Sequence, residues 1–308
     1  MNELVVCSGK GGTGKTSVVA SMASLAEDFV MADCDVDAAN LHLVLDPVVE
    51  KTTPFIAGHT AIIRQEDCEA CGECHALCRF SAINKSEDPD GGVTYEVDPL
   101  LCEGCGVCVR FCPTEAIDFS TRRCGEWYVS KTLFGPLVHA ALDVGAENSG
   151  KLVSMVREQA KHIAERSGLD MILVDGPPGI GCPVTASLTG ADLTLLVTEP
   201  SLSGLHDLRR IVDLAAHFQV PAMVCINKFD LSPRLTERIE EYCREQDIPL
   251  IGKIPFEPLV NAAQAAGRSL IEFAPQSEAA HVMTSIWRGI ERHLLDSLLL
   301  KLPQLPKG

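Results

Sequence analysis

Two runs of cysteine carry the strongest chemical signal in the chain. They are Cys68-x2-Cys71-x2-Cys74-x3-Cys78 and Cys102-x2-Cys105-x2-Cys108-x3-Cys112. Thiolates at this spacing are typical ligands of [4Fe-4S] clusters, which carry single electrons, and the fourth cysteine of each run binds the cluster of the other run. The spacing therefore predicts two clusters, one on Cys68, Cys71, Cys74 and Cys112 and the other on Cys102, Cys105, Cys108 and Cys78.

The two runs form an internal repeat, offset by 34 residues from Cys68 to Cys102. A fixed offset indicates duplicated structural units. Each half is too small for an independent core, so we expect the clusters to hold this segment together. Pro113 follows the second run, whereas Arg79 takes its place after the first; this changes a turn but removes no ligand. Zinc on the same thiolates is the alternative interpretation.

A second chemical signal lies at the start of the chain. The segment Gly9–Thr16 matches the pattern G-x4-G-K-[ST] between a predicted strand and a predicted helix, the context that this phosphate-binding loop requires. Backbone N–H groups and the helix N-terminus cradle phosphate oxygens. We expect Lys15 to reach the β- and γ-phosphates and Thr16 to bind Mg²⁺. The predicted nucleotide-binding residues here are Gly9, Lys10, Gly11, Gly12, Thr13, Gly14, Lys15, Thr16 and Ser17.

Polar residues at the ends of later strands complete the predicted nucleotide site. Asp33 and Asp35 follow the second predicted strand, and Asp175 ends another, four residues before Gly179. An aspartate at the carboxyl end of a strand suits Mg²⁺ binding, direct or through water, and the glycine suits contact with the γ-phosphate. Asn227-Lys228-Phe229-Asp230 also ends a strand. Its N-K-x-D pattern reads guanine in GTPases, so GTP stays open as the alternative to ATP.

The elements that position these residues are predicted from hydrophobic periodicity. Apolar strands alternate with amphipathic helices, which predicts an α/β fold with a doubly wound, mostly parallel sheet. Strands are expected at 4–7, 29–32, 171–174, 193–198, 222–226 and 250–253, and helices at 15–26, 151–166, 204–218, 233–246 and 278–300. The rhythm stops between about Thr60 and Phe119. We therefore expect a discontinuous P-loop domain, residues 1–60 and 120–308, with an inserted α+β ferredoxin-like domain at 61–119.

Composition narrows the function classes. The net charge is −16, which argues against nucleic-acid binding and against simple attachment to anionic lipid. The chain opens without an apolar signal segment, and no apolar run approaches the roughly 18 residues needed to span a bilayer. The final helix is expected to pack on the sheet, with membrane association as the alternative. Fourteen cysteines are then expected as metal ligands and reduced thiols in the cytoplasm.

Six cysteines lie outside the two runs. Most fall in or beside predicted strands, where a thiol packs as a small apolar group. Cys182 follows Asp175 by seven residues, in a loop expected to move with the nucleotide. A structural thiol and a cluster ligand at a dimer interface are both open for it. The six are Cys7, Cys34, Cys124, Cys182, Cys225 and Cys243.

Nearly the whole chain resembles the MinD/ParA-superfamily P-loop ATPases that contain an inserted 2[4Fe-4S] ferredoxin domain, relatives of the nitrogenase iron protein and Mrp-type ATPases. The resemblance rests on Lys10–Thr16, Asp33–Asp37, the cysteine runs, Asp175–Gly179 and Asn227–Asp230, and it extends to Gly125–Trp127 and Glu147–Lys151. It implies that Lys10 reaches the partner's nucleotide in an ATP-dependent homodimer. It also implies that Asp35 orients the attacking water, Asp33 supports Mg²⁺ and Asn227 contacts adenine.

Three functions fit this pairing of nucleotide loop and cysteine runs. The first is an ATPase, slow without its partner, in which Lys10, Lys15, Asp35 and Asp175 perform hydrolysis and gate electron transfer through two [4Fe-4S] clusters. The second assembles or delivers iron–sulfur clusters, and the third is a positioning ATPase that senses redox state. The cofactors expected are ATP, Mg²⁺ and the clusters. The partners are a second copy and a redox or iron–sulfur client protein.

Overall fold

The computed structural model describes residues 1–146 and 149–301, and for 296–301 it describes the backbone alone. Within them the strands are β1 Asn2–Ser8, β2 Phe29–Asp33, β3 Val48–Ile63, β4 Ile83–Glu87, β5 Val93–Val97, β6 Ile117–Lys131, β7 Pro136–Leu142, β8 Met171–Pro178, β9 Leu193–Thr198, β10 Ala222–Asn227 and β11 Leu250–Ile254. The helices are α1 Lys15–Ala23, α2 Leu41–Leu45, α3 Glu73–Leu77, α4 Val107–Arg110, α5 Ser149–Ser167, α6 Cys182–Leu188, α7 Leu202–His217, α8 Pro233–Glu245, α9 Leu259–Ala265, α10 Leu270–Phe273 and α11 Glu278–Lys301.

Parallel pairing in the main sheet confirms the predicted α/β class. The strand order is β11-β10-β9-β1-β8-β2-β7-β6-β3. Strand β1 pairs in parallel with both β8 and β9, and β2 pairs in parallel with β8 and β7. The central strands β2, β8 and β9 are buried along almost their whole length because helices cover both faces of such a sheet. This order brings the carboxyl ends of β1, β2 and β8 to one edge.

The strands around the cysteine segment differ from the predicted rhythm. The prediction stopped the β/α alternation near Thr60, but β3 already starts at Val48 and continues to Ile63, and β6 and β7 precede α5. In β3, Pro54 and Gly58 (φ 68°) interrupt a strand whose side chains are mostly exposed. A continuous apolar run is therefore absent from this strand, and periodicity gives no signal for it.

Helix α11 packs against the sheet, as the sequence predicted. Trp287, Ile290 and Leu294 are buried in the main core with side chains from β1, β2, β8 and β9. Leu298 belongs to the residues whose side chains are not described. Among the described residues, no helix is long and apolar enough to cross a membrane.

The chain divides into two compact units. The first unit comprises Met1–Thr53, Trp127–Ala141 and Ser149–Gly308, and the second comprises Pro54–Glu126 and Leu142–Asn148. The second unit contains the β4–β5 hairpin, which pairs antiparallel from Ile83↔Val97 to Glu87↔Val93. Its core consists of Ala61, Ile63, Cys74, Ile83, Tyr95 and Ile117, with cysteines of both runs packed around it. The inserted ferredoxin-like domain at 61–119 stays a prediction.

Candidate nucleotide site and cysteine-lined cavities

The loop between β1 and α1 opens into a cavity in the first unit. Gly14 caps α1 with a left-handed backbone (φ 90°), and a Cβ there would collide with the Asn227 amide. Both facts require glycine at this position. The loop residues Gly11, Gly12, Thr13, Gly14, Lys15, Thr16 and Ser17 line the cavity together with Asp35 and Asn227. The fold thus brings these predicted residues together.

Lys15 is the centre of a buried ion-pair cluster at the floor of this cavity. Its Nζ lies 2.5 Å from Asp175 Oδ1 and 3.5 Å from Asp35 Oδ2, and its side chain is 6% exposed. Burial acts to lower the pKa of Lys15, but Asp175 and Asp35 outweigh it and raise that pKa. Lys15 is therefore a permanent cation beside carboxylates, and phosphate oxygens can exchange for those carboxylates.

Asp33 lies behind this cluster and is fully buried. Its carboxylate accepts hydrogen bonds from the backbone N–H of Asp35 at 3.1 Å and of Leu41 at 3.2 Å. Burial, followed by the negative charge of Asp175, raises its pKa to about 7. Burial likewise raises the pKa of Asp35, against the opposing charge of Lys15. Three carboxylates facing one ammonium group make an electrostatically unbalanced site that a divalent cation would neutralise.

Two buried polar atoms in this region have no hydrogen-bond partner among the described residues, Thr13 Oγ1 and Asp175 Oδ2. An unpaired buried carboxylate oxygen is costly unless a ligand satisfies it. Thr16 lies on the same cavity wall, half-buried. This donor set of carboxylate and hydroxyl oxygens is the chemistry that Mg²⁺ prefers. The residues present therefore fit a Mg²⁺–phosphate group.

The predicted N-K-x-D residues clamp the loop and the opposite wall. Asn227 Nδ2 donates to Thr13 O at 2.7 Å, and Lys228 Nζ donates to Gly12 O at 3.0 Å. Asp230 Oδ1 accepts from Phe256 N at 2.6 Å. Phe256 belongs to a wall that also includes Pro255, Glu257, Val260, Asn261 and Gln264. Sequence reasoning missed this wall, although its position directly after β11 is a strand-end signal.

Lys10 is held by its own chain in this structure. Its Nζ lies 2.6 Å from Glu199 Oε1, 3.1 Å from Ser201 Oγ and 3.0 Å from Ser203 Oγ. Glu199 also pairs with Lys228 at 3.3 Å. Although partial burial opposes it, bonding to both lysines lowers the pKa of Glu199. Sequence reasoning missed Glu199, which directly follows β9.

The remaining predicted residues lie after β8, after β2 and before α5. Gly179 (φ 92°) donates its N–H to Ser8 O at 2.9 Å, so this N–H reaches a phosphate only if the bond opens. Cys182 is exposed at the start of α6, and Asp37 is exposed beyond Asp35. Glu147 and Asn148, which belong to the resemblance, lie outside the described residues.

In the second unit, the cysteines divide between two cavities. One cavity is lined by Cys68, Cys71, Cys74 and Cys112. The other is lined by Cys78, Cys102, Cys105 and Cys108. In each, three cysteines of one run meet the fourth cysteine of the other run. The two cavity linings contain the same cysteines as the two predicted ligand sets, and that they hold clusters stays a prediction.

The fourth cysteine of each run has the same surroundings. Ala82 N lies 3.4 Å from Cys78 Sγ, and Ala116 N lies 3.3 Å from Cys112 Sγ, each pointing an N–H at the sulfur. The 34-residue repeat also recurs in the backbone, since left-handed residues occur at the paired positions Ala70 and Gly104, Gly72 and Gly106, and Ser81 and Glu115. Among the described residues, however, no group of three or more His, Cys, Asp or Glu side chains is arranged to hold a single metal ion.

A parallel sheet with a glycine-rich loop between its first strand and first helix defines the class of P-loop nucleotide-binding proteins. A family model described as the CobQ/CobB/MinD/ParA nucleotide binding domain matches residues 4–271. The chain belongs to this family.

One relative and two solved structures show what else this chain is similar to. Uncharacterized protein MJ0578 of Methanocaldococcus jannaschii is 35% identical over 229 residues, covering 73% of this chain and 78% of the relative. The septum site-determining protein MinD of Pyrococcus horikoshii, complexed with Mg-ADP, superposes with a TM-score of 0.57 at 18% identity, covering 98% of this chain and 99% of that one. The cell division ATPase MinD of Pyrococcus furiosus gives 0.55 at 19%, covering 95% and 99%. At these identities the two structures establish the fold alone.

Proposed function

We propose that the protein is a MinD/ParA-type ATPase that uses ATP to gate electron transfer through two [4Fe-4S] clusters. The observation that carries the proposal is the pairing of the two sites in one chain. The first unit contains the Lys15–Asp175–Asp35 cluster in a nucleotide-sized cavity, and the second contains two cavities with four cysteines each.

For hydrolysis, ATP and water yield ADP, inorganic phosphate and a proton. The backbone of Gly11–Gly14 and the Lys15 ammonium group would bind the phosphates, and Thr16 with Asp175 would hold Mg²⁺. Phosphate binding would replace Asp175 on Lys15, since the Nζ–Oδ1 pair at 2.5 Å occupies the place of a phosphate contact. Asp35, half-buried 3.5 Å from Lys15, is the residue proposed to orient the attacking water.

For electron transfer, the cysteines of the second unit would hold the clusters. When bound, clusters of this type would supply one-electron transfer between a donor protein and an acceptor protein. The four thiols on each cavity wall provide the ligand set, and the N–H groups of Ala82 and Ala116 would stabilise the charge on Cys78 and Cys112. Each cavity takes three cysteines from one run and the fourth from the other, and this interlocked repeat supports iron–sulfur clusters over zinc as the proposed occupants.

For gating, we propose an ATP-dependent homodimer. Lys10 has a charged side chain that is 27% exposed, and it is held by Glu199. Release of this contact would let Lys10 reach the nucleotide of a second copy. Asp35 lies in the loop after β2, and Asp175 lies in β8, three residues before that strand ends. Nucleotide exchange would act on both, because both carboxylates contact Lys15.

The test is the rate at which the dithionite-reduced, anaerobically reconstituted protein reduces cytochrome c, with MgATP and without nucleotide. We expect MgATP to raise the rate and Lys15→Ala to abolish that increase. Cys105→Ser, which removes a thiol from one cavity, should halve the iron content and slow transfer with ATP hydrolysis retained. An ATP-independent rate would contradict gating, and loss of iron during turnover would indicate cluster delivery instead.

A further inference from the structure

A stack of three aromatic rings lies in the first unit, outside the nucleotide cavity. The His139 ring on β7 lies 4.9 Å from the Tyr128 ring on β6 and 5.8 Å from the His42 ring on α2, measured between centroids. The interplanar angles are 25° and 14°, so the rings face one another. Neither the phosphate loop nor the cysteine chemistry uses these residues.

One end of the stack is tied to the nucleotide site. The backbone N–H of Leu41, the first residue of α2, donates to the buried Asp33 carboxylate. His42 is the next residue, and Asp33 also accepts from Asp35 N. A helix of one turn does not hold its own position. The position of α2, and with it the His42 ring, therefore depends on the carboxylates that are expected to respond to Mg²⁺ and nucleotide.

The other end of the stack, Tyr128, is part of β6, and the middle ring also contacts this strand. Ser130 Oγ lies 2.8 Å from His139 Nε2, and both side chains are buried. Strand β7 is fixed beside β2, with Ala32 opposite Val138, so His139 lies one residue further, level with Asp33. Strand β6 runs from Ile117 to Lys131, and its chain begins five residues after Cys112. The stack thus connects α2 with a strand that is continuous in sequence with the second cysteine run.

Two properties of the stack would allow α2 and the His42 ring to shift to a second position. Burial, followed by the neighbouring His42, lowers the pKa of His139 to about 4, so His139 is neutral near pH 7 and does not repel a neighbouring ring. His42 Nδ1 is buried and has no hydrogen-bond partner among the described residues. An unpaired buried nitrogen makes this position costly, and a shift of α2 that pairs the nitrogen would offset the cost.

We propose that His42 and His139 are positioning residues that transmit the nucleotide state of the Asp33–Asp35 loop through Tyr128 and Ser130 to strand β6. The proposal rests on the proposed function, because it supplies the route by which ATP would act on the cysteine-containing segment. The proposal also requires that the hydrogen exchange of β6 and β7 changes when nucleotide binds, and that the stack transmits this change.

Hydrogen exchange of the full-length, iron-loaded protein tests this requirement, with MgATP compared with no nucleotide. In the wild type we expect altered exchange at 40–46 and also at 127–131 and 136–141. His42→Ala should keep the change at 40–46 and lose at least three-quarters of the change on β6 and β7. His42→Phe, which preserves a stacked ring, should restore it. The matched control is His217→Ala on α7, which removes a ring contact with Phe218 and should behave as wild type.

Three results would overturn the proposal. They are no nucleotide effect at 40–46, no effect on β6 and β7 in the wild type, or an undiminished effect there in His42→Ala. Failure of the proposed function would give a different experimental result. ATP-independent reduction of cytochrome c, with the exchange pattern as expected, would leave the stack as a link and remove electron transfer as its purpose.

Discussion

In the first unit, strands β1, β8 and β9 pack with α1 and α11 in one apolar core, whereas in the second unit the core is six side chains surrounded by cysteines. The first unit has enough buried apolar surface to fold without a ligand. The second unit has so little that the proposed clusters would have to stabilise it as well as carry electrons. Under the proposed function the two units therefore depend on ligand in opposite ways, since nucleotide would be exchanged whereas the clusters would be structural.

The largest effect expected from this comparison follows removal of iron. Anaerobic chelation under reducing conditions should unfold the second unit and leave the first folded, because only the second relies on the cysteine ligands. Hydrogen exchange would report loss of protection at 83–97 with protection of β1 and β8 unchanged. If β4 and β5 stay protected after complete iron loss, the second unit does not depend on iron for its folding, and the proposed difference between the units is contradicted.

A smaller effect is expected from Asp35→Asn, which keeps the shape of a half-buried side chain and removes its charge. We expect ATP hydrolysis to fall about 10²-fold, the usual contribution of a group that positions or activates water. Iron content and the spectra of the clusters should stay at wild-type values. Asp37→Asn, two residues away and exposed, is the matched control, and equal losses in both variants would contradict the role given to Asp35.

Mg²⁺ binding should depend on pH through Asp33. Its pKa is raised to about 7 in the folded protein, above the ordinary aspartate value near 4. The unfolded chain loses this proton first, so Asp33 lowers stability as pH rises from about 4 to 7, and a cation offsets that loss. Mg²⁺ affinity, measured by calorimetry, should fall about tenfold for each pH unit below 7. Asp33→Asn should flatten this profile, and an identical profile in the variant would exclude Asp33 as its cause.

The smallest effect concerns the contact that holds Lys10 in its own chain. Partly exposed ion pairs contribute about 1 kcal/mol or less. Glu199→Gln should therefore raise the association constant of the ATP-dependent dimer about two- to fivefold. Sedimentation equilibrium at a fixed MgATP concentration measures this constant. Lys253 pairs with Glu240 at 2.7 Å on the surface, so Glu240→Gln is the control. Weaker dimerisation in Glu199→Gln would show that Glu199 supports the dimer.

Sequence patterns predicted the parts of this molecule that depend on short-range rules. The strand at Leu193–Thr198 is found at its predicted limits, because it is apolar throughout and bounded by helices. The grouping of four cysteines per cavity agrees with the spacing of the runs combined with the ligand crossing that is general in two-cluster ferredoxins. The phosphate loop followed from its glycines and its place between β1 and α1.

What the sequence did not predict depends on long-range packing. Strand β3 is mostly exposed and interrupted by Pro54, so its pairing at the edge of the sheet has no local signal. The Lys10–Glu199 contact joins residues 189 positions apart. The stack of His42 and His139 likewise requires that α2 and β7 meet, and isolated histidines without ligand spacing give no indication of it.

We propose that nucleotide in the first unit acts on clusters in the second. An anaerobic, EPR-monitored redox titration of the reconstituted protein, with and without MgATP, tests this coupling. We expect both clusters to be retained and MgATP to shift the midpoint potential or the line shape of at least one. Identical potentials and line shapes in the two titrations would contradict it.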